Sequence, residues 1–176
     1  LSIRHPARFV LVGSGNPEEG ELRPQLQDRF GLSVDVRTPS DVPTRVEIIR
    51  QREAFDHDRA AFKKKWARKE SALRRKIQSA RACLDGVDTP AQLLEMAAHL
   101  CLSLGTDGLR GELTLVRSAR ALAALQGKNA ASPSHLKTVA TSVLRHRLRR
   151  DPLDESSADS RVERAVSELF GNDRDR

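Results

Sequence analysis

Side chains that could act on an anionic substrate fall at three places in the sequence. Asn16 follows the apolar run 9–12 and a Gly-Ser-Gly turn, and open α/β sheets bind ligands at this end of a buried strand. Asp28 and Arg29 close a short predicted helix, and Arg110 opens a later one. An arginine at a helix end can project across an interface and neutralise phosphate charge during phosphoryl transfer.

These residues also have ordinary structural interpretations. Asn16 could simply close its turn, since asparagine tolerates turn geometry. Arg29 could be a solvated cation favoured by the helix dipole, and adjacent residues such as Asp28 and Arg29 need not be partners. Arg110 is different, because a cation in the first turn opposes the dipole and a nearby anion would offset that cost. From the residues alone, both interpretations of Asn16 and Arg29 stay open.

Other common chemical motifs are not found. Glycines 13 and 15 invite a phosphate-cradle interpretation, but the pattern GxxxxGK[ST] does not occur and Pro17 lacks a backbone donor. The five histidines show no metal-binding spacing, so we predict no metal site. Cys83 and Cys101 lack CxxC spacing and are interpreted as reduced structural thiols.

The elements that must position these residues change in type along the chain. The run 9–12 and the alternating segment 32–36 are typical of strands, with a short helix within 21–30 between them that stops at Gly31. Almost everything after Ser40 is predicted helical. The predicted helices begin at a cap at Ser40 or Asp41, continue through 59–84, and then cover 90–104, 109–125, 133–150 and about 158–170. The pattern predicts an α/β fold class, the end of a parallel sheet followed by an all-helical unit.

The excess positive charge of the chain is confined to one segment. The net charge is +7, but ten Lys and Arg residues lie between 59 and 81 with one acid, leaving 21 basic against 23 acidic residues elsewhere. A solvated or subunit-facing helix is the expected role of this segment, and a helical nucleic-acid-binding module is the alternative from another class. The sequence contains no run of about 20 apolar residues and no secretory signal pattern, so we expect a soluble, cytoplasmic protein.

Three separated blocks resemble one family. HPARFVLVGSGNPEEG at 5–20 continues into LRPQLQDRFG at 22–31, DGLRGELTLVRSARAL spans 107–122, and RHRLRRDPLD spans 145–154. Together these blocks resemble the magnesium-chelatase ATPase subunit I family of AAA+ ATPases, which serves chlorophyll and bacteriochlorophyll synthesis. Other AAA+ ATPases, of the MoxR or cobalt-chelatase type, are the nearest alternative.

The resemblance implies specific roles. Asn16 matches sensor 1, which orients the attacking water; Arg29 matches the arginine finger that reaches a neighbouring subunit's nucleotide. Asp28 lies at the same interface, and Arg110 matches sensor 2, a lid residue that contacts the γ-phosphate in its own or an adjacent site. Asn16 and Arg110 would thus contact ATP, which would bring its Mg²⁺ with it, and no metal-binding residue is implied in this chain.

The resemblance also implies an organisation and partners. Residues 1–56 would be the C-terminal portion of the AAA+ α/β domain, 57–88 a basic helical connector and 89–176 the helical lid. Since neither Walker A nor Walker B occurs here, we expect a fragment that binds ATP negligibly alone. The complete subunit is expected to form a homo-oligomeric ring, a hexamer, and to act with subunits D and H to insert Mg²⁺ into protoporphyrin IX.

Overall fold

The regular structure of the chain is helical throughout the part described. The computed structural model describes residues 9–16, 20, 22–148 and 156–171. In chain order its helices are α1 (Pro24–Gln27), α2 (Val42–His57), α3 (Arg59–Cys83), α4 (Ala91–Ser103), α5 (Arg110–Leu125), α6 (Pro133–Leu144) and α7 (Ala158–Phe170). A 3₁₀ turn at Leu84–Gly86 follows α3.

Local capping signals explain where several helices begin. The Asp41 carboxylate accepts the Thr44 amide at 2.8 Å, and Ser157 Oγ accepts the Ser160 amide at 3.1 Å. Asp58 sits in an extended conformation and accepts the amides of Ala60 and Ala61, which ends α2 and starts α3. Such caps satisfy amides that have no partner within the helix.

The core lies among α4, α5, α6 and α7, with the C-terminal end of α3 packed on α5. Its largest fully buried side chains are Leu93, Leu100, Cys101, Leu115, Leu136, Val143, Leu144 and Val162. Buried alanines such as Ala97, Ala119 and Ala140 fill the spaces between them. The core is therefore packed by aliphatic side chains, in keeping with the aromatic content of only 3%.

The basic segment 59–81 lies within one continuous helix, α3, whose charged side chains are exposed. At its start, the rings of Phe55 and Phe62 meet edge-on at 5.6 Å, and Trp66 lies 6.0 Å from Phe62. Lys69 Nζ lies 4.6 Å from the Trp66 ring centroid. Aromatic contacts therefore hold α2 against the start of α3, while the basic face stays in solvent.

The sheet part of the predicted fold is not formed among the described residues. Segments 9–12 and 32–36 have no regular secondary structure, because a strand needs a ladder partner and the described residues offer none. The apolar side chains of 9–12 are accordingly exposed, Val10 at 91%. The structure thus supports the helical part of the predicted α/β fold class and not its sheet. Among the described residues the only bridge pairs Asp88 with Ala130.

Two helices are shorter than predicted, and other predictions lie outside the described residues. The first helix covers only Pro24–Gln27, and α6 ends at Leu144 rather than 150 because the chain tightens into a turn, Arg147 N–H donating to Leu144 O. The predicted helices at 90–104, 109–125 and 158–170 are confirmed within one or two residues. The N-terminal segment 1–5, Pro17, residues 149–155 and the tail 172–176 are not described.

Candidate functional site

Arg29 lies in a tight turn immediately after α1. The backbone amides of Arg29 and Phe30 donate to the carbonyls of Leu26 and Gln27, each at 3.1 Å. The Arg29 side chain is exposed, and no described residue gives its guanidinium a hydrogen bond or ion pair. Its charge is therefore available to an anion outside the described part of the chain.

Asp28, the preceding residue, joins this turn to the helical core. One carboxylate oxygen accepts from Arg110 Nη1, at the first residue of α5, and the other accepts from Arg147 Nη1. Arg110 keeps 56% of its side chain exposed, whereas Arg147 is only 3% exposed. The anion expected beside Arg110 is thus present in the structure as Asp28.

Arg147 is a site residue that the sequence analysis did not single out. Its Nη1 donates to Asp28 O at 2.8 Å, its Nη2 to Phe30 O at 2.8 Å, and its Nε to Val143 O at 3.0 Å. The resembling block at 145–154 included it, but residue type alone does not distinguish it from the other arginines of that block. Burial depends on tertiary packing, which the local pattern did not reveal.

His146 supports the same turn from the other side. Its Nε2 lies 3.0 Å from Phe30 O, so Nε2 carries the proton and donates it. Burial lowers the pKa of His146, and the Phe30 carbonyl opposes this only in part. The neutral ring is therefore favoured beside the arginine guanidinium.

The segment after the turn is fastened along the same end of the helical core. We call residues 28–37 the strap. Ser33 N–H donates to Ser142 O at 2.8 Å, and Asp35 lies 3.7 Å from Arg145 Nη2. Arg145 Nε in turn pairs with Asp159 at 2.9 Å. A hydrogen bond from Arg37 and the charge of Arg145 lower the pKa of Asp35, so Asp35 is held ionised beside Arg145.

The start of α5, which carries Arg110, packs closely on α4. A Cβ added at Gly111 would lie 3.2 Å from Cys101 Sγ and 3.5 Å from Leu144 Cδ2, so only glycine fits without displacement. Burial, followed by the charge of Glu112, raises the pKa of the Cys101 thiol to about 11. This thiol is therefore a packing group, as its sequence context predicted.

Asn16 lies on a separate, exposed segment. That segment approaches the Arg29 turn, since a Cβ added at Gly13 would lie 3.8 Å from the Phe30 ring. The structure thus joins Asp28 and Arg110 directly, leaves Arg29 beside them facing solvent, and brings the Asn16 segment to the neighbouring Phe30. Among the described residues no group of three or more His, Cys, Asp or Glu is arranged to hold a metal ion.

A known family model matches most of the helical core. Residues 94–166 match the family model described as AAA lid domain. This segment covers α5, α6 and most of α4 and α7, and it contains Arg110 and Arg147. The helical core is therefore similar to the lid domain of AAA proteins.

Individual relatives specify the resemblance further. The chain is 62% identical over 170 residues to the magnesium-chelatase 38 kDa subunit of Acidiphilium rubrum, covering 97% of this chain and 49% of the relative. It is 63% identical to the subunit of the same name from Cereibacter sphaeroides, with 97% and 51% covered. It is 44% identical to the magnesium-chelatase subunit ChlI of Mesostigma viride, with 97% and 48% covered.

The resemblance predicted from the sequence is confirmed by these relatives. The chain is similar to the magnesium-chelatase 38 kDa, or ChlI, subunits over nearly all of its own length. It spans about half the length of the curated relatives it matches. Within the described helices, none is long and apolar enough to cross a membrane.

Proposed function

We propose that this chain is the part of a magnesium-chelatase ATPase subunit that senses and completes the nucleotide site of a neighbouring subunit. The observation that carries the proposal is the Asp28 carboxylate, which links the lid residue Arg110 to the turn that presents Arg29. Two cationic side chains therefore lie next to Asp28, Arg29 facing solvent and Arg110 half-exposed. This arrangement suits an anionic, multiply charged ligand such as the γ-phosphate of ATP.

The chemistry assigned to these residues is positioning and charge neutralisation. Phosphoryl transfer spreads negative charge over the equatorial oxygens, and a guanidinium that reaches them lowers the barrier. We assign this role to Arg29 as an arginine finger acting between subunits. Arg110, as sensor 2, would exchange its Asp28 partner for the γ-phosphate, and Asn16, as sensor 1, would orient the attacking water.

The same proposal includes the ligands and partners of the complete subunit. ATP would be held by a phosphate-binding loop that this chain lacks, and Mg²⁺ would arrive with it. We assign Asp28 no metal-binding role, because two arginines already occupy its oxygens. A cytoplasmic hexameric ring acting with subunits D and H would use the hydrolysis to insert Mg²⁺ into protoporphyrin IX.

The test uses a chimaera in which this chain replaces the matching half of the Acidiphilium rubrum subunit, 62% identical to it. ATP turnover and nucleotide affinity are measured for the chimaera and for its Arg29→Ala variant. We expect turnover to fall by about 10³-fold or more, with nucleotide affinity nearly unchanged. Arg117→Ala removes another exposed arginine, on α5, and serves as the matched control.

The possible results distinguish an arginine finger from a residue that only binds nucleotide. Loss of turnover in Arg29→Ala but not in Arg117→Ala supports a finger. Turnover within a few-fold of the unsubstituted chimaera in Arg29→Ala would refute the finger assignment. A loss of nucleotide affinity in Arg29→Ala would instead show that the residue holds the ground state.

A further inference from the structure

The buried charge of Arg147 has a distinctive set of partners. Its guanidinium donates to the carbonyls of Asp28 and Phe30, the residues immediately before and after Arg29, at 2.8 Å each. It also donates to the Asp28 carboxylate and, through Nε, to the Val143 carbonyl at 3.0 Å. One side chain therefore satisfies the backbone on both sides of the predicted finger.

We propose that Arg147 is the positioning residue of the Arg29 turn. By holding this turn to the lid, it fixes the direction in which the Arg29 side chain points. The inference rests on the proposed function, because the Arg29 side chain needs a fixed direction only if it reaches a phosphate. Arg147 itself does not contact the reacting groups, since its side chain is 3% exposed and each of its three nitrogens donates to Asp28, Phe30 or Val143.

The geometry favours arginine over any other side chain at this position. A guanidinium is planar and presents its donors in a fixed fork, so two carbonyls that it contacts are held at a fixed separation. Burying a charge costs free energy unless it is paired and hydrogen-bonded, and Arg147 meets both conditions. The Arg29 backbone is thereby held to Val143, near the end of α6.

The same contacts link the two arginines assigned to the nucleotide. Asp28 accepts from Arg147 with one oxygen and from Arg110 with the other. A movement of Arg110 toward a phosphate would release one side of Asp28 and leave Arg147 holding the other. Arg147 therefore keeps the finger turn on the lid when Arg110 changes partner.

Two variants and two readouts test the proposal. Arg147→Lys keeps the charge beside Asp28 but cannot span both carbonyls with a fork, and Arg147→Ala removes every contact. In the 176-residue chain, we expect backbone amide exchange at Arg29 and Phe30 to accelerate by about tenfold or more in both variants. In the chimaera, we expect kcat to fall by about 10²-fold with KM for ATP nearly constant, the loss typical of a misplaced catalytic group.

The control and the possible results distinguish failure of the finger role of Arg29 from failure of the positioning role of Arg147. Arg117→Ala should change neither amide exchange nor kcat. If Arg147→Ala does not fold, as judged by circular dichroism, Arg147→Lys decides. Normal exchange and normal kcat in Arg147→Lys, together with loss of turnover in Arg29→Ala, would overturn the positioning role and leave the finger intact. Turnover retained in Arg29→Ala would refute the finger, while the exchange data would still show whether Arg147 orders its turn.

Discussion

The two arginines that share Asp28 should differ widely in their energetic coupling to it. Arg147 is 3% exposed and Arg110 is 56% exposed, although both donate to the same carboxylate. A charge-assisted hydrogen bond shielded from solvent contributes about 1.5–3 kcal/mol to stability. An exposed ion pair contributes about 0.2–1 kcal/mol, because water screens it and two long side chains lose freedom. We therefore predict that the Asp28–Arg147 coupling exceeds the Asp28–Arg110 coupling by about 1–2 kcal/mol.

Double-mutant cycles measure both couplings in the 176-residue chain. Asp28, Arg147 and Arg110 are replaced by alanine singly and in the two pairs, and the free energy of unfolding is obtained from urea titrations followed by circular dichroism. The exposed pair Arg52–Asp56 on α2, with an Nε–Oδ2 distance of 2.7 Å, is the reference, for which about 0.3–0.5 kcal/mol is expected.

Salt provides a second, independent comparison. Raising the ionic strength from about 0.1 to 1 M should remove most of the Asp28–Arg110 coupling, as it screens exposed charges. The Asp28–Arg147 coupling should be less sensitive to salt, because Arg147 is only 3% exposed, although Asp28 itself is 41% exposed. An Arg110 coupling equal to or larger than that of Arg147, or equal salt sensitivity of the two, would refute this interpretation of the site.

Three further predictions follow from individual contacts. Ellman's reagent should label the exposed Cys83 quickly and Cys101 only on unfolding. The reason is that a buried thiol with a pKa of about 11 is ~0.1% ionised at pH 8. Two fast-reacting thiols in the native chain would contradict this prediction. Stability should fall as pH drops below about 6.5, since burial lowers the pKa of His146 and the unfolded chain binds the proton first. His146→Gln should flatten that part of the pH profile, and an unchanged slope would exclude His146 as its source. Gly111→Val should lower the free energy of unfolding by about 1–3 kcal/mol, because the valine side chain would collide with Cys101. A urea midpoint at or above that of the unsubstituted chain would contradict this and show that the α4–α5 contact can relax.

Much of the helical part could be predicted because its signals are local. Asp41, Pro90 and the Ser132-Pro133 pair mark helix starts within a few residues of where the structure has them. The helical spacing of apolar residues then identified the helices whose apolar side chains are buried in the core. The strands at 9–12 and 32–36 could not be judged in this way, because strand formation depends on partners distant in sequence.

The site was predictable as a set of residue types and not as a set of contacts. Arg110 drew attention because a cation opposes the dipole at a helix start, and the structure supplies its anion. That anion, Asp28, lies 82 residues away in the chain, so no local pattern could identify the pair. Arg147 was missed for the same reason, because only packing of the helical core makes it different from Arg145.

The central claim, that Arg29 completes a nucleotide site on a neighbouring subunit, is tested most directly by mixing two inactive chimaeras. One carries Arg29→Ala, and the other has its phosphate-binding loop disabled in the half taken from the relative. If the finger acts between subunits, random mixed rings should regain roughly a quarter of the unsubstituted turnover, because head-to-tail interfaces then pair an intact loop with an intact finger. A mixture no more active than either parent would contradict the claim.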